Sequence, residues 1–276
     1  MKKTIIFCGL WVITITIAFT SLTQAQTTSK RYTDYDPIAD FYNRFWSIPL
    51  ERLAMGKLEK IMLPNLKPNA EILDLMCGTG HIAATLNQKG FKMTGLDGSE
   101  KMLEFARQKV PGMKTILADA RYFIPRKKYD AVICMSDGLN HIMQEKGLTQ
   151  AFTQVYKALK PGGQFVFDMN WEERYIKGWN IRGLRLEYDD NDAILTSSYS
   201  KSTRKGSIKF WLYYPIDKAK NTWKRKTWEL TQYCYTPEQI KKALNTAGFQ
   251  TIKVYEANKD LGDKRNAGRA YYVCKK

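Results

Sequence analysis

Residues 71–80 read EILDLMCGTG, and a helix-like pattern begins directly after them. The apolar start of this stretch predicts a buried strand, and its glycines predict a tight turn from that strand into the helix. The next predicted strand, 91–97, ends in Asp97. A strand, a glycine-rich turn, a helix and a carboxylate at the end of the second strand form the arrangement with which parallel α/β domains hold a nucleoside cofactor.

The chain from residue 70 to residue 170 alternates predicted strands with predicted helices. Strands are expected at 70–76, 91–97, 113–118, 129–135 and 163–169, and helices at 80–89, 99–109 and 145–160. Such alternation predicts βαβ units, and hence an α/β fold with a mostly parallel sheet and helices on both of its faces. The segment LKPGG at 159–163 predicts a helix stop and a turn before the fifth strand.

The pattern changes after Asp168. Residues 183–235 are rich in Tyr, Thr, Ser, Ile and Trp with rough two-residue alternation, which predicts an antiparallel β meander inserted at 171–235. A helix with a Thr-Pro start follows at 236 and ends at Gly248, and strands at 249–256 and 269–274 complete the first sheet. We therefore expect one domain over residues 31–276, with the meander as an insertion.

The composition bounds the class of protein without deciding it. The 276 residues are 44% hydrophobic, which is enough for a sizeable core, and the formal net charge is +17. This charge favours an anionic partner such as a nucleic acid, an acidic membrane face or an anionic substrate, although a solvated basic surface explains it equally well. The five cysteines form no C-x-x-C pair and have no metal-ligand spacing to a histidine, so we predict no metal site.

The first 25 residues predict a targeting segment. Lys2 and Lys3 precede an apolar run over 5–19, and a small residue, Ala25, follows at a plausible cleavage position. We favour a signal peptide cleaved after Ala25; the alternative is an uncleaved membrane anchor, because the run extends to about residue 22. The protein is then exported or membrane-anchored, which is in tension with a nucleoside cofactor made in the cytosol.

Two aspartates at strand ends are candidates for holding that cofactor. Asp97 can accept hydrogen bonds from both hydroxyls of a ribose, or it can cap the helix that begins near Ser99. Asp119 follows the third strand between two alanines and can accept from the amino group of an adenine, or it can close a turn.

The order of these motifs resembles that of the class I S-adenosylmethionine-dependent methyltransferases. The resemblance rests on Asp74, Gly78-x-Gly80, Asp97, Asp119, the fourth strand YDAVIC at 129–134 and LKPGG at 159–163. It implies a Rossmann-like seven-stranded fold and S-adenosylmethionine as the cofactor. The cofactor-binding positions that it implies are Asp74, Cys77, Gly78, Gly80, Asp97, Gly98, Asp119, Ala120 and Met135. One departure is that Met76 occupies the position of the family's usual first glycine.

Two further segments resemble small-molecule members of that family, such as sugar-amine N-methyltransferases. These are the tyrosine-containing opening around Tyr35 and Tyr42, and SDGLNH at 136–141 after the fourth strand. The resemblance implies that the opening forms a lid, and that His141 can take a proton from an amine or hydroxyl. Tyr35 and His141 are thus the catalytic candidates, although a packing role is an alternative for each.

The leading hypothesis is therefore an enzyme that transfers a methyl group to an N or O atom of a small molecule. A nicotinamide-dependent oxidoreductase is the first alternative, but the third glycine of the dinucleotide fingerprint is replaced by Ala83. A basic nucleic-acid-binding protein or nucleic-acid methyltransferase is the second alternative. It is not favoured, because the segment after the fourth strand lacks the Pro-Pro-aromatic motif of enzymes that methylate base amines. A membrane is expected as a partner only through the N-terminal segment if that segment is not cleaved.

Overall fold

The computed structural model describes residues 32–188, 191–217 and 219–276. The predicted leader, residues 1–25, lies outside the described residues. Among the residues described, no helix combines the length and the apolar content that crossing a bilayer requires.

Two sheets organise the chain. The first, sheet A, has seven strands in the order β10-β11-β5-β4-β1-β2-β3. Its strands are β1 (Glu71–Leu75), β2 (Lys92–Asp97), β3 (Lys114–Leu117), β4 (Tyr129–Cys134), β5 (Leu159–Asn170), β10 (Thr251–Glu256) and β11 (Arg269–Lys275). β11 pairs antiparallel with both of its neighbours, and the other pairings in this sheet are parallel.

The second sheet, sheet B, is the antiparallel meander. Its order is β6-β7-β8-β9, and its strands are β6 (Leu184–Tyr188), β7 (Asn191–Ser200), β8 (Lys205–Asp217) and β9 (Thr222–Tyr233). A short helix, α6 (Glu172–Gly178), leads into it. The predicted α/β class, with a mostly parallel seven-stranded sheet and an inserted antiparallel meander, is confirmed.

Helices cover both faces of sheet A because strands that are buried on both sides need apolar partners on both sides. The helices are α1 (Ala39–Phe41), α2 (Ser47–Ile61), α3 (His81–Gln88), α4 (Glu100–Lys109), α5 (Glu145–Ala158) and α7 (Pro237–Ala247). One apolar cluster joins α5 and α7 to one face, through residues such as Phe152 and Ile240. A second cluster joins α2 and α3 to the other face, through Leu58 and Leu86.

The segment LKPGG differs from its predicted form. The sequence predicts a turn there, whereas β5 already begins at Leu159 and carries a bulge. Tyr129 pairs with Leu159 and Ala131 pairs with Gln164, so β5 holds extra residues between these two pairs. Lys276 stabilises the bulge through two backbone hydrogen bonds. Gly162 N donates to Lys276 O at 3.1 Å, and Lys276 N donates to Gly163 O at 3.0 Å.

The N-terminal segment, residues 32–46, connects the two sheets. Ile38 and Phe41 are buried against Phe210 and Leu212 of sheet B. A π-helical stretch, Tyr42–Trp46, then joins α1 to α2. The π-helical geometry is uncommon in proteins and often marks a functional region. This path carries the segment across the carboxyl ends of the parallel strands, where the candidate site lies.

Candidate active site

A cavity of about 560 Å³ opens at the carboxyl edge of sheet A, beside the point where the strand order reverses between β1 and β4. Ligands of open α/β sheets bind at such a point. The residues that line it are Tyr32, Tyr35, Tyr42, Met76, Gly78, Asp97, Gly98, Met102, Asp119, Ala120, Met135, Ser136, Gly138 and His141. The cavity therefore brings together residues from four strand ends and the N-terminal segment.

The turn after β1 presents backbone to this cavity. Gly78 has a φ of +54°, which favours glycine, and its N–H donates to Asp97 Oδ2 at 2.8 Å. Gly80 also has a left-handed φ of +77°, but a Cβ there would meet the Cβ of Ala106 at 2.8 Å. Gly80 thus serves the contact between α3 and α4, whereas Gly78 faces the cavity.

Asp97 is a partly buried carboxylate that retains acceptor capacity. It accepts the N–H groups of Gly78 and Ser99, at 2.8 and 2.9 Å. Burial raises its pKa to about 6, and the backbone donors oppose that rise. Because two carboxylate oxygens offer about four lone pairs, Asp97 can accept two further donors from a ligand.

Asp119 lies elsewhere in the cavity wall and is already paired. It accepts from Arg121 at Nε (2.9 Å) and Nη2 (2.6 Å), and from the Arg121 N–H at 2.8 Å. Nothing in the sequence pattern predicted this pair. The guanidinium of Arg121 balances the charge of Asp119. The Asp119 carboxylate keeps lone pairs for one neutral donor such as an exocyclic amine.

Asp74 is buried beneath the turn rather than in the cavity wall. Its Oδ2 atom has no hydrogen-bond partner among the described residues, and the Thr79 hydroxyl is in the same situation. Burial, together with the nearby charge of Asp97, raises the pKa of Asp74 to about 8. Cys77 and Thr79 line a smaller cavity of about 230 Å³, next to the first one.

The two catalytic candidates are in direct contact. The Tyr35 hydroxyl lies 2.9 Å from His141 Nε2, and His141 Nδ1 lies 2.8 Å from the carbonyl oxygen of Thr231 in β9. A carbonyl only accepts, so Nδ1 carries the proton and Nε2 offers a lone pair to Tyr35. Burial lowers the pKa of His141 and raises that of Tyr35 well above its usual range. His141 is thus neutral at pH 7.

The loop after β4 holds His141 in place. Ser136 and Asp137 both have positive φ values, 65° and 52°, which cost conformational energy in residues other than glycine. Asp168 at the end of β5 accepts both of their N–H groups, at 2.6 and 3.1 Å. Arg269 of β11 bridges Asp168 and Asp137 from the interior, so two strands, β5 and β11, fix the strained loop.

The predicted site residues divide into two groups. Those in the wall of the larger cavity are Tyr35, Gly78, Asp97, Gly98, Asp119, Ala120, Met135 and His141. Asp74, Cys77 and Gly80 lie beside or beneath it. Asn140, in the same loop as His141, ties β5 to β9, because its side chain bonds the backbone of Asn170 and the carbonyl of Tyr233.

The chain is similar to known methyltransferases in sequence. The family profile described as "Methyltransferase domain" matches residues 72–163. The Bacillus subtilis (strain 168) protein YqeM, a putative methyltransferase by name, is 28% identical over 77% of this chain and 86% of its own length. A glycine/sarcosine N-methyltransferase from Halorhodospira halochloris is 32% identical over 67% of this chain and 67% of its own length.

Two solved structures show the same fold. An S-adenosylmethionine-dependent methyltransferase from Clostridium acetobutylicum has a TM-score of 0.70 at 23% identity, over 87% of this chain and 98% of its own. An amino pentose methyltransferase of calicheamicin biosynthesis from Micromonospora echinaspora has a TM-score of 0.65 at 22% identity, over 86% and 94%. These structures show the fold, while the matched profile and the relative from Halorhodospira halochloris show the family: the chain belongs to the S-adenosylmethionine-dependent methyltransferases.

Proposed function

We propose that this enzyme transfers a methyl group from S-adenosylmethionine to the nitrogen of a small amine. The observation that carries the proposal is one cavity whose wall contains both the carboxylates of Asp97 and Asp119 and the Tyr35–His141 pair. The carboxylates suit a nucleoside donor, and the Tyr35–His141 pair suits an acceptor that must lose a proton. The alternative of a nicotinamide-dependent oxidoreductase loses its support, because the chain belongs to a methyltransferase family.

The residues present suit an adenosine-containing sulfonium. Asp97 has acceptor capacity for a sugar diol, Asp119 has it for an exocyclic amine, and the apolar side chains of Met102, Ala120 and Met135 line the same cavity. The unpartnered Oδ2 atom of Asp74 and the unpartnered hydroxyl of Thr79 lie under the turn that contains Gly78. When bound, S-adenosylmethionine supplies an electrophilic methyl group and a neutral thioether leaving group.

The state of His141 favours an amine over a hydroxyl as acceptor. An amine arrives as an ammonium ion with a pKa of roughly 8 to 10, and burial lowers the pKa of His141 from its ordinary value. Moving the ammonium proton to His141 is therefore uphill. A hydroxyl with a pKa near that of water, about 16, is a far weaker acid than the ammonium ion, and each further pKa unit adds about 1.4 kcal/mol to the cost of removing its proton. The neutral imidazole is therefore a competent base only for the ammonium ion.

The named relatives act on small amines as well. The similar protein from Halorhodospira halochloris is a glycine/sarcosine N-methyltransferase, and one structural neighbour is an amino pentose methyltransferase. An amine acceptor is thus consistent with both the site chemistry and the neighbours.

The proposed mechanism uses few residues of this chain. The ammonium proton passes to the Tyr35 oxygen while the Tyr35 proton passes to His141 Nε2, which leaves a neutral amine with a free lone pair. With S-adenosylmethionine held by Asp97 and Asp119, that lone pair would be free to accept the methyl group that the sulfonium would supply. The remaining work is to align the reactants and exclude water, and the half-buried tyrosines of the N-terminal segment suit that role.

The proposal is tested by ligand-induced stabilisation and then by turnover. We expect S-adenosylhomocysteine to raise the melting temperature of the protein and NAD not to do so, because only a ligand that binds the native state stabilises it. Asp97→Ala should abolish this effect, and Asp217→Ala, at an exposed hairpin, should not. With S-adenosylmethionine, a panel of matched amines and alcohols should be methylated on nitrogen alone. Stabilisation by NAD and not by S-adenosylhomocysteine would overturn the assignment of the cavity.

We further propose that residues 1–25 are a cleaved export signal, on the strength of their sequence pattern. N-terminal sequencing of the protein from its host should then find Gln26 as the first residue. A protein that begins at Met1 would instead support the uncleaved anchor.

A further inference from the structure

A side chain from sheet B contacts His141. Gln232, in β9, is buried, and its Nε2 atom lies 3.2 Å from His141 Nε2. The residue before it, Thr231, provides the carbonyl that fixes the proton on His141 Nδ1. Sheet B therefore contacts both nitrogens of the imidazole.

The orientation of the Gln232 amide is fixed at both ends. The Tyr175 hydroxyl donates to Oε1 at 2.8 Å, and Nε2 donates to Asp137 Oδ2 at 2.6 Å. A flipped amide would place its oxygen against the Asp137 carboxylate and its N–H groups against the Tyr175 hydroxyl. The second N–H of Gln232 therefore points towards His141 Nε2, whose single lone pair it shares with the closer Tyr35 hydroxyl.

We propose that Gln232 is a positioning residue that keeps His141 neutral and separates it from the carboxylate of Asp137. This inference rests on the proposed function, in which His141 receives the acceptor's proton through Tyr35. An N–H that donates to a lone pair stabilises the neutral imidazole and opposes its protonation. Without the amide, Asp137 would face the ring directly and favour the imidazolium, which has no lone pair for a proton.

The groups around His141 come from several elements. The N-terminal segment contributes Tyr32, Tyr35 and Asp34, and the loop after β4 contributes Asp137, whose charge is shared with Arg269 of β11. Burial lowers the pKa of His141, while Asp137, the Thr231 carbonyl and Asp34 raise it. The Gln232 amide opposes protonation of His141, so its removal should also raise the pKa of His141.

The test measures the pKa of the His141 imidazole directly. The chain has two histidines, His81 and His141, so a ¹⁵N-edited NMR titration of the full-length protein is simple to assign, with His81→Gln as the reference. The wild type should show His141 protonated on Nδ1 and neutral at pH 7. In Gln232→Met, a substitution of similar size, the pKa of His141 should rise by about half a pH unit or more.

A matched control is available in the same protein. Gln164 is also a buried glutamine in a strand, and its amide donates to the carbonyl of Met62, far from the cavity. Gln164→Met should leave the pKa of His141 unchanged even if it lowers the melting temperature. If Gln232→Met does not fold, Gln232→Asn provides the measurement, because its shorter amide cannot reach both Asp137 and His141.

The outcomes separate this inference from the proposed function. An unchanged pKa of His141 in the Gln232 variant overturns the positioning role and leaves the proposed function intact. A raised pKa supports the role, and the acid limb of the rate profile with an amine acceptor should then move to higher pH by the same amount. If the pKa rises and the rate profile does not move, Gln232 positions His141 but His141 is not the base.

Discussion

Met76 shows how one residue can keep a backbone geometry that its side chain disfavours. It stands where the resemblance to the family predicts a glycine, and its φ is +59°. A left-handed conformation costs about 1 to 2 kcal/mol in a residue with a Cβ. The side chain offsets part of this cost, because it is half-buried and its Sδ lies 3.8 Å from Cys134 Sγ. It lines the cavity, and the cavity remains open beside it.

We therefore expect Met76→Gly to change the free energy of unfolding by less than about 1 kcal/mol. The relief of the left-handed strain and the loss of a half-buried methionine are each worth about 1 kcal/mol and have opposite signs. Met102→Gly, in helix α4, is the control: it removes a fully buried side chain and adds a helical glycine, so it should cost at least about 3 kcal/mol. Urea unfolding of both variants measures the difference, and equal losses would contradict the strain argument.

The residues of the site were predictable to different degrees. Asp97 and Asp119 follow predicted strands, and the carboxyl ends of parallel strands meet at one edge of a sheet, so their proximity could be expected. Gln232 gave no such signal, because it lies 91 residues from His141 and alternation in β9 does not say which strand face meets which loop. Arg121 was also missed, since a pair two residues apart has no distinctive pattern.

At the scale of elements, the N-terminal segment is held to two otherwise separate parts of the fold. Asp36 accepts from the Ser99 hydroxyl and from the Lys101 N–H at the start of α4. On the other side, Trp228 Nε1 of sheet B donates to the carbonyl of Asp34 at 2.6 Å. The sequence predicted a lid from its tyrosines, but it gave no sign of these anchors or of the π-helical geometry at Tyr42–Trp46.

Gly98 provides a test of how closely this segment must approach the sheet. A Cβ at Gly98 would lie 2.7 Å from the backbone nitrogen of Tyr32 and 2.9 Å from its carbonyl oxygen, and backbone atoms cannot move aside as a flexible side chain can. We expect Gly98→Ala to displace residues 32–35 and to weaken binding of S-adenosylhomocysteine at least about tenfold, which is about 1.4 kcal/mol. Isothermal titration calorimetry measures this loss.

Gly56→Ala is the matched control for that substitution. Gly56 lies in α2, and no atom beyond its own helical turn lies within 4 Å of the position that an alanine methyl group would take. Alanine should therefore leave binding unchanged and stabilise the helix by about 0.5 to 1 kcal/mol. Unchanged affinity in Gly98→Ala would show that the N-terminal segment can shift without loss of the site.

At the scale of the whole molecule, the sequence predicted the two kinds of sheet, but it did not predict how they pack against each other. Alternation of strands and helices predicts a parallel sheet, and two-residue alternation over 183–235 predicts a meander. Neither pattern says that β9 packs beside the loop after β4, because such contacts depend on tertiary packing. The net charge of +17 does not describe the site either. No lysine or arginine is among the described residues that line the cavity, whose wall carries the carboxylates of Asp97 and Asp119.

The buried acids of this fold should make its stability depend on pH. The folded-state pKa of Asp74 is about 8, above its usual 3.8, because the carboxyl is buried near Asp97 and its Oδ2 has no partner among the described residues. The folded state therefore binds this proton more tightly than the unfolded state. The resulting stabilisation is fully present below about pH 4 and is lost progressively as the pH rises to about 8.

The clearest window for this effect lies between about pH 6.5 and about pH 8. Below this window the two histidines, whose folded-state pKa values are lowered, oppose the trend, because their protonation favours the unfolded state. Within the window we expect the free energy of unfolding to fall by up to about 1 kcal/mol per pH unit. Asp74→Asn should flatten this dependence and Asp217→Asn should not, as measured by urea unfolding at several pH values. A wild-type protein whose stability is constant or rises across the window would mean that Asp74 is already ionised in the folded state.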